Sequence, residues 1–397
     1  MNVNILATGM GWINHTPGGL NRYFADYLHA LTERGHRVTG IITTNGAEAD
    51  DKPVYMLEAC TGNKPRNGLS RMLAFRSTLR SKLRSGEYDV FNPHFAMYAS
   101  LLTRGLLPAH MPVVTHFHGP WAHESQVEAS GNRLVRELRI RAKKGIEMLV
   151  YNRSDRFIVL SEYFRDVLVE DYGIPKDRII IIPGAVNIEQ FQPAPDRQGL
   201  RRGYGIDEKT RVFFCVRRLV KRMGIDNLIK AMAVVLPDHP NVKLWIAGDG
   251  PQREQLRLLA GELGVLRHVE FLGRISQEEL VRRYQAADVS VVPTLTLEGF
   301  GLVTVESLAC GTPVIGTPYG GTREILARFT PHLLFRDHTP EAMAGLIGRI
   351  ADGEVSLPER EVCRGYVLSH YTWDHVVHSV CEVFAEEAAL KRGLMRV

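Results

Sequence analysis

The chain has 397 residues, 45% of them hydrophobic and 23% charged, a balance typical of folded globular proteins and too apolar for a disordered chain. At roughly 150 residues per domain, that length holds two or three domains. Forty-nine Lys and Arg against 44 Asp and Glu leave a formal charge of +5, too mild to imply nucleic acid as a partner. No apolar run approaches the roughly 18 residues that a membrane-spanning helix needs. The opening residues Met1–Ala7 lack the basic start and apolar stretch of a signal peptide. The five cysteines (Cys60, Cys215, Cys310, Cys363, Cys381) are scattered without a CxxC, which suggests neither a disulfide framework nor a zinc site. A cytoplasmic address is expected.

Short apolar runs alternate with amphipathic stretches along most of the chain. Strands are predicted at Val3–Ala7, Val38–Thr43, Val90–Asn92, Val113–Phe117, Phe157–Leu160 and Ile179–Pro183. Leu20, Phe24, Leu28 and Leu31 fall at helical spacing between the first two, and Gly35 is placed to end that helix. A second series follows at Val212–Val216, Val242–Ala247, Val269–Leu272, Val289–Val292 and Val314–Gly316, with helices over Gly224–Leu236 and Pro251–Leu263. Between the series lies the proline-punctuated stretch Phe191–Asp196, which reads as a linker. Trp373–Leu390 reads as one long helix. Two runs of alternating strand and helix predict an α/β chain of two doubly wound, Rossmann-like parallel-sheet domains. The boundaries expected are 1–191, 192–371 and a C-terminal helix over 372–397. Ligands in such sheets bind at the carboxyl ends of strands, so a cleft between the halves is expected.

The glycines are the first chemical signal. Gly9-Met10-Gly11 lacks the third glycine of a dinucleotide fingerprint, and Thr43-Thr44 stand where an acidic residue would close the second strand. A nicotinamide cofactor is not expected, nor is any other cofactor. Thr16-Pro17-Gly18-Gly19 precedes the first helix, and two glycines there free backbone N–H groups for a phosphate or form an ordinary loop. His116 and His118 share one face of an extended strand, with His123 nearby. Those rings suit a metal, a structural role or a cleft, and no nearby Cys or Asp completes a ligand set.

The second half carries the stronger signals. Arg217, Arg218, Lys221 and Arg222 follow a strand and precede a helix, forming either a solvated loop or a cradle for a diphosphate. Pro293–Glu306 runs from a buried strand through Glu298-Gly299-Phe300-Gly301-Leu302 into a helix holding Glu306. Glycines there let backbone amides approach a ligand, and the helix start can receive negative charge. A glutamate among Val303, Val305, Leu308 and Ala309 needs hydrogen-bond donors, which sugar hydroxyls supply. A glycosidase acid/base pair is the weaker reading, because such pairs must flank one bond at a set separation. Gly320-Gly321 reads as a further loop at the cleft.

Through Glu298-Gly-Phe-Gly-Leu-Val-Thr-Val-Glu306, the chain resembles the retaining glycosyltransferases of family 4, which share the GT-B fold. Pro17-Gly18-Gly19, Arg34-Gly35-His36, His118-Gly119, Arg218-Leu219-Val220, Ala247–Pro251, Phe271-Leu272-Gly273 and Ala309–Val314 extend the match in order. The resemblance implies transfer of a hexosyl group from a nucleotide-diphosphate sugar to a hydroxyl acceptor, a saccharide or lipid-linked saccharide, without a metal. It implies catalytic roles for His118, Glu298 and Arg218. Gly18 and Gly19 would lie near the diphosphate, and Arg218, Lys221 and Arg222 would bind it. Glu298, Gly299, Phe300, Gly301 and Leu302 would hold the sugar and Glu306 the ribose, while Gly273 and Arg274 would face the base. The family pattern has glycine and lysine where Arg217 and Met223 stand here, so Lys221 or Arg222 is expected to supply the missing cation.

A UDP-sugar is the donor expected first and GDP-mannose next, in polysaccharide, glycolipid or glycoconjugate biosynthesis. Lys64, Arg66, Arg71, Arg76, Arg80, Lys82 and Arg84 form a basic run without an acidic residue. In the helix after Ser130, Leu134, Leu138, Ala142 and Leu149 define one face, with Arg133, Arg136, Arg139, Lys143 and Lys144 on the other. Those cations read as a solvated face or as a peripheral contact with the anionic inner face of a membrane. Two other functions fit the motifs: a nucleotide-sugar epimerase of the same fold, or a non-catalytic nucleotide-sugar-binding partner of another transferase.

Overall fold

A computed structural model describes residues 2–16, 18–43, 52–59, 67–101, 105–128 and 133–394. The chain divides into two compact units, one of Met1–Gly184 with Trp373–Val397 and one of Ala185–Thr372. The first unit's leading segment ends at Gly184 rather than at residue 191. The reason is local pairing: Val186 N–H donates to the Tyr371 carbonyl at 3.1 Å, and Arg364 donates to the Ile188 and Phe191 carbonyls. The expected linker is part of the second unit, where Phe191 is buried and the Gln192 carbonyl accepts from Gln285.

In the first unit, β1 (Asn4–Gly11), β2 (Arg37–Thr43), β3 (Met56–Glu58) and β4 (Val90–Pro93) form a parallel sheet in the order β3-β2-β1-β4. A bridge from Phe91 to Val113 leads on to the parallel strands β5 (Val114–Phe117), β6 (Arg156–Val159) and β7 (Ile179–Ile181). The core between sheet and helices includes Leu6, Ile41, Phe75, Phe91, Phe117 and Phe157. The helix Gly19–Glu33 buries Tyr23 and Tyr27 beside Phe24, Leu28 and Leu31, and Gly35 follows it with φ +83.

In the second unit, β8 (Arg211–Val216), β9 (Val242–Ala247), β10 (Val269–Gly273), β11 (Val289–Val292) and β12 (Val314–Gly316) run parallel in the order β10-β9-β8-β11-β12. Each unit therefore reverses its strand order once, between β1 and β4 and between β8 and β11. The loops leaving those strands flank the crevice where doubly wound sheets take ligands. The two expected strand series are present; among the described residues, only the three-residue β3 escaped the sequence pattern. Among the described residues, no helix is long and apolar enough to cross a membrane.

The helix Arg133–Tyr151 turns its leucine face outward. Leu134 is 75% exposed and Leu138 70%, whereas Glu147 and Val150 are buried. The Glu147 carboxyl accepts from Trp121 N–H at 2.8 Å and Tyr172 O–H at 2.7 Å, and burial pushes its pKa up to about 7. The folded chain thus holds a proton that the unfolded chain has released. This contribution to stability is full below the unfolded pKa and is lost as pH rises through about 7. Glu147→Gln removes the loss, so its gain over wild type is expected to grow from near zero at acid pH to about 3 kcal/mol in mild alkali. Urea unfolding across that range checks it, and a pH-independent difference contradicts it.

Candidate active site

In the first unit, the loop after β1 turns back at once, with the His15 and Thr16 amides donating to the Trp12 carbonyl. Asn21 clamps it, its side-chain oxygen accepting from Gly11 N–H at 3.1 Å and its amide donating to the Thr16 carbonyl at 2.7 Å. Gly18 then caps the helix Gly19–Glu33 without a side-chain acceptor. Pro17 and Thr44 lie outside the described residues. Beyond β4 and β5 come His94 and His118, whose rings meet through His94 Nδ1 and His118 Nε2 at 2.9 Å. His94 Nε2 reaches Asn92 Oδ1 at 2.9 Å, and the same oxygen accepts from Tyr27 O–H at 3.1 Å. The Asn92 amide donates to the Val114 carbonyl at 2.6 Å and meets His116 Nδ1 at 3.0 Å. Burial lowers all three imidazoles, His94 and His116 well below their ordinary value and His118 to about 3. They are neutral rings at physiological pH. His116 is a buried strand residue that braces Asn92, and His123 stands apart beside Asp171 at 3.4 Å.

The sequence reading missed His94, Asn92 and Tyr27. Asn92-Pro93-His94 at the end of a predicted strand was the signal available, since β4 borders the reversal in strand order.

In the second unit, β8 delivers Arg217 and Arg218 into a loop held by close backbone approach. A Cβ on Gly248 would meet the Arg217 carbonyl at 1.9 Å, and one on Gly250 the Leu219 carbonyl at 2.5 Å. Leu219 N–H donates to the Asp249 carbonyl, and its own carbonyl accepts from Gln252 N–H. Arg218 is exposed at the turn, as is Lys221. Arg222 is buried instead, donating to the Leu297 carbonyl at 3.1 Å. Leu297 has φ +57, a left-handed conformation that costs a non-glycine residue roughly 1–2 kcal/mol. Arg222 braces that strained residue, one position before Glu298. Met223 is buried and its sulfur accepts from Thr294 O–H.

Glu298 forms a buried ion pair with Arg217 through Oε1, the two side chains being 6% and 9% exposed. Among the described residues, Glu298 Oε2 and Arg217 Nε are buried with no hydrogen-bond partner. Buried charged groups are seldom left so, because each unmade bond costs free energy. After Glu298, Gly299 turns the chain and Phe300 packs 5.7 Å from the Tyr371 ring. Gly301, at φ +87, caps the helix Leu302–Ala309. That start places Glu306 in the second turn, buried, where it accepts from Tyr284 O–H at 3.1 Å. The donor that its burial requires is thus present within the unit. Gly273 ends β10 with φ +67, and its carbonyl accepts from Gly248 N–H. Arg274 is exposed, 3.7 Å from Asp249.

Gly320 and Gly321 are not a separate loop. They begin the helix Gly320–Phe329 and press on the Glu298 segment, Gly321 N–H donating to the Glu298 carbonyl at 3.0 Å. A Cβ on Gly321 would meet the Phe300 carbonyl at 2.1 Å. Gly321→Ala is therefore expected to destabilise the chain by about 1–3 kcal/mol and to displace Glu298. Urea unfolding measures the first effect, and a stability equal to wild type contradicts it.

Residues 17–190 match the family described as Glycosyltransferase Family 4, and residues 196–367 match Glycosyl transferases group 1. A D-inositol 3-phosphate glycosyltransferase of Acidothermus cellulolyticus is 30% identical, covering 94% of this chain and 87% of its own. A GDP-mannose-dependent alpha-(1-6)-phosphatidylinositol monomannoside mannosyltransferase of Mycolicibacterium smegmatis is 27% identical over 90% of this chain and 91% of its own. Among solved structures, sucrose-phosphate synthase of Thermosynechococcus elongatus superposes with TM-score 0.79 at 22% identity, covering 98% of this chain and 100% of its own. Anabaena HepE, solved with UDP and glucose, has TM-score 0.75 at 18% identity over 97% of this chain and 100% of its own. These likenesses show the fold, which is GT-B.

Proposed function

Because this chain belongs to the family 4 glycosyltransferases, we propose that it is a retaining hexosyltransferase that works without a metal. The donor is a nucleotide-diphosphate sugar, a UDP-sugar first and GDP-mannose second, and the acceptor is a hydroxyl of a saccharide or lipid-linked saccharide. The observation that carries this reading is the unspent, buried Oε2 of Glu298 beside the unspent Nε–H of Arg217. A sugar hydroxyl donates to the first, and a sugar or phosphate oxygen accepts from the second. HepE binds UDP, and the Mycolicibacterium relative is named for GDP-mannose, which supports both donor classes.

In the proposed step, the bond from the anomeric carbon to the β-phosphate oxygen breaks and the acceptor oxygen bonds to that carbon on the same face. The acceptor proton passes to the departing phosphate oxygen, and the nucleoside diphosphate leaves. In the second unit, Arg218 and Lys221 stabilise the charge that develops on it; in the first, the N–H groups at Gly18 and Gly19 suit a phosphate oxygen. Arg217 joins Arg218 and Lys221, and Arg222 acts by holding Leu297. Glu298, Gly299, Phe300, Gly301 and Leu302 orient the sugar and His118 contacts it. Glu306 receives the ribose hydroxyls, and Gly273 and Arg274 border the base. Holding both substrates in line supplies much of the acceleration.

A panel of nucleotide sugars tests this, with released nucleoside diphosphate measured for wild type and Glu298→Ala. Acceptor-dependent release by wild type alone supports transfer. Conversion of the donor sugar without an acceptor supports an epimerase, and binding without any turnover supports a non-catalytic partner.

The acceptor side suits a membrane surface. Leu134, Val135 and Leu138 stand exposed among Arg136, Arg139 and Arg141, and Leu69 and Leu73 are exposed on the helix Gly68–Ser85, which carries Arg71, Arg80, Lys82 and Arg84. Lys64 and Arg66 lie outside the described residues, as does the Arg133 side chain. Exposed leucines flanked by cations insert at the headgroup level of an anionic bilayer, each Lys or Arg adding about 1 kcal/mol. Flotation with liposomes containing phosphatidylglycerol is expected to recover the protein at low salt. Recovery is expected to fall with salt and with Leu134→Asp/Leu138→Asp; salt-insensitive or absent binding contradicts the contact.

A further inference from the structure

The hydrogen bonds around His94 settle which nitrogen of each ring carries its proton. The Asn92 amide nitrogen faces the Val114 carbonyl at 2.6 Å, so it is the donor, and the opposite oxygen can only accept. That oxygen takes Tyr27 O–H and His94 Nε2, so His94 carries its proton on Nε2. A neutral imidazole has one donor and one acceptor nitrogen, which makes His94 Nδ1 the acceptor. His118 Nε2, 2.9 Å away, must then be the donor, and His118 Nδ1 keeps the lone pair. The ring planes are held as well, Phe24 meeting His94 edge-on and Tyr23 meeting His118 edge-on, each with centroids 4.9 Å apart.

We propose that His94 is a positioning residue that locks His118 in the Nε2–H tautomer, so that His118 meets the substrate as a hydrogen-bond acceptor. This rests on the placement of His118 at the transferred sugar. A ring presenting Nδ1 as a lone pair recognises a hydroxyl proton, one on the sugar or on the acceptor. It has no proton to give a phosphate oxygen from that nitrogen. The Val114 carbonyl fixes the Asn92 amide, the Asn92 oxygen accepts from Tyr27 and His94, His94 passes on the polarity, and His118 delivers it. Imidazole orientation and tautomer are commonly set by such a partner on the far nitrogen.

Histidine-selective 15N labelling of the full chain, with long-range proton–nitrogen correlation spectra, reads the tautomer of each ring without any glycosyl transfer. His118→Gln assigns the His118 signals. In wild type, His94 and His118 are both expected as Nε2–H tautomers; an Nδ1–H His118 overturns the lock outright, with no variant needed. In His94→Leu, His118 is expected to populate both tautomers, and kcat to fall about 10–100-fold, as for loss of comparable orienting partners. His94→Asn places an amide oxygen near the Nδ1 position and is expected to restore the Nε2–H signal and most of kcat. An unchanged His118 spectrum in His94→Leu overturns the lock, even if His118→Ala is inactive. A shifted tautomer with unchanged kcat upholds the lock and removes His118 from the reaction, so the two failures are told apart.

Discussion

Glu298→Ala is expected to destabilise the second unit by about 3–5 kcal/mol, the cost of leaving a buried charge without its partner. Arg217 loses its ion pair and keeps its place in a site where its Nε–H already lacks a partner. Arg217→Ala is expected to cost a similar amount, by stranding the Glu298 carboxylate. At roughly 2–4 °C per kcal/mol for a domain of this size, the melting temperature falls on the order of 10 °C. The double variant Arg217→Met/Glu298→Gln is expected to lose less than either alanine variant, since apolar or neutral replacement of both partners removes the stranded charge. Thermal unfolding of the four proteins tests the coupling. Single variants melting within a degree or two of wild type contradict a buried pair.

Arg218→Ala is expected to lower kcat by about 10²–10³-fold, the range measured when one donor to a developing oxyanion is removed. Arg218 sits at the carboxyl end of β8, beside the reversal in strand order, in a loop that Gly248 holds at Arg217 and Gly250 holds at Leu219. Its fork of N–H groups matches two phosphate oxygens, which an ammonium group does not. Arg218→Lys is therefore expected to recover only part of the loss. Steady-state kinetics with the best donor distinguish the cases. A change confined to KM, with kcat intact, means that Arg218 binds ground and transition states alike and contradicts its role in stabilising the leaving diphosphate.

Alternation of strand and helix made the two α/β units legible, and the glycine-flanked Glu298 loop marked the main site segment. What escaped depended on partners distant in sequence. Tyr284, the donor to Glu306, lies 22 residues away in another helix. His94 meets His118 across two strands, 24 residues apart. The basic cluster misled in part, because composition cannot say which cation turns inward. Arg222 does, to hold strained Leu297, and Arg217 does, to pair with Glu298. The helix Arg133–Tyr151 turns its leucine face outward, and its buried face centres on Glu147, which no apolar periodicity marks.

The second unit is proposed to bind the diphosphate of a nucleotide sugar around Arg218 and Glu298. Thermal unfolding with UDP and GDP, beside UMP and GMP, tests it most directly. A ligand at 100 times its dissociation constant stabilises the folded state by about 2.7 kcal/mol. One nucleoside diphosphate is predicted to raise the melting temperature of wild type by several degrees, with the monophosphate weaker and the shift lost in Arg218→Ala. A wild type unmoved by either diphosphate at millimolar concentration, or an Arg218→Ala variant that responds in full, contradicts the account.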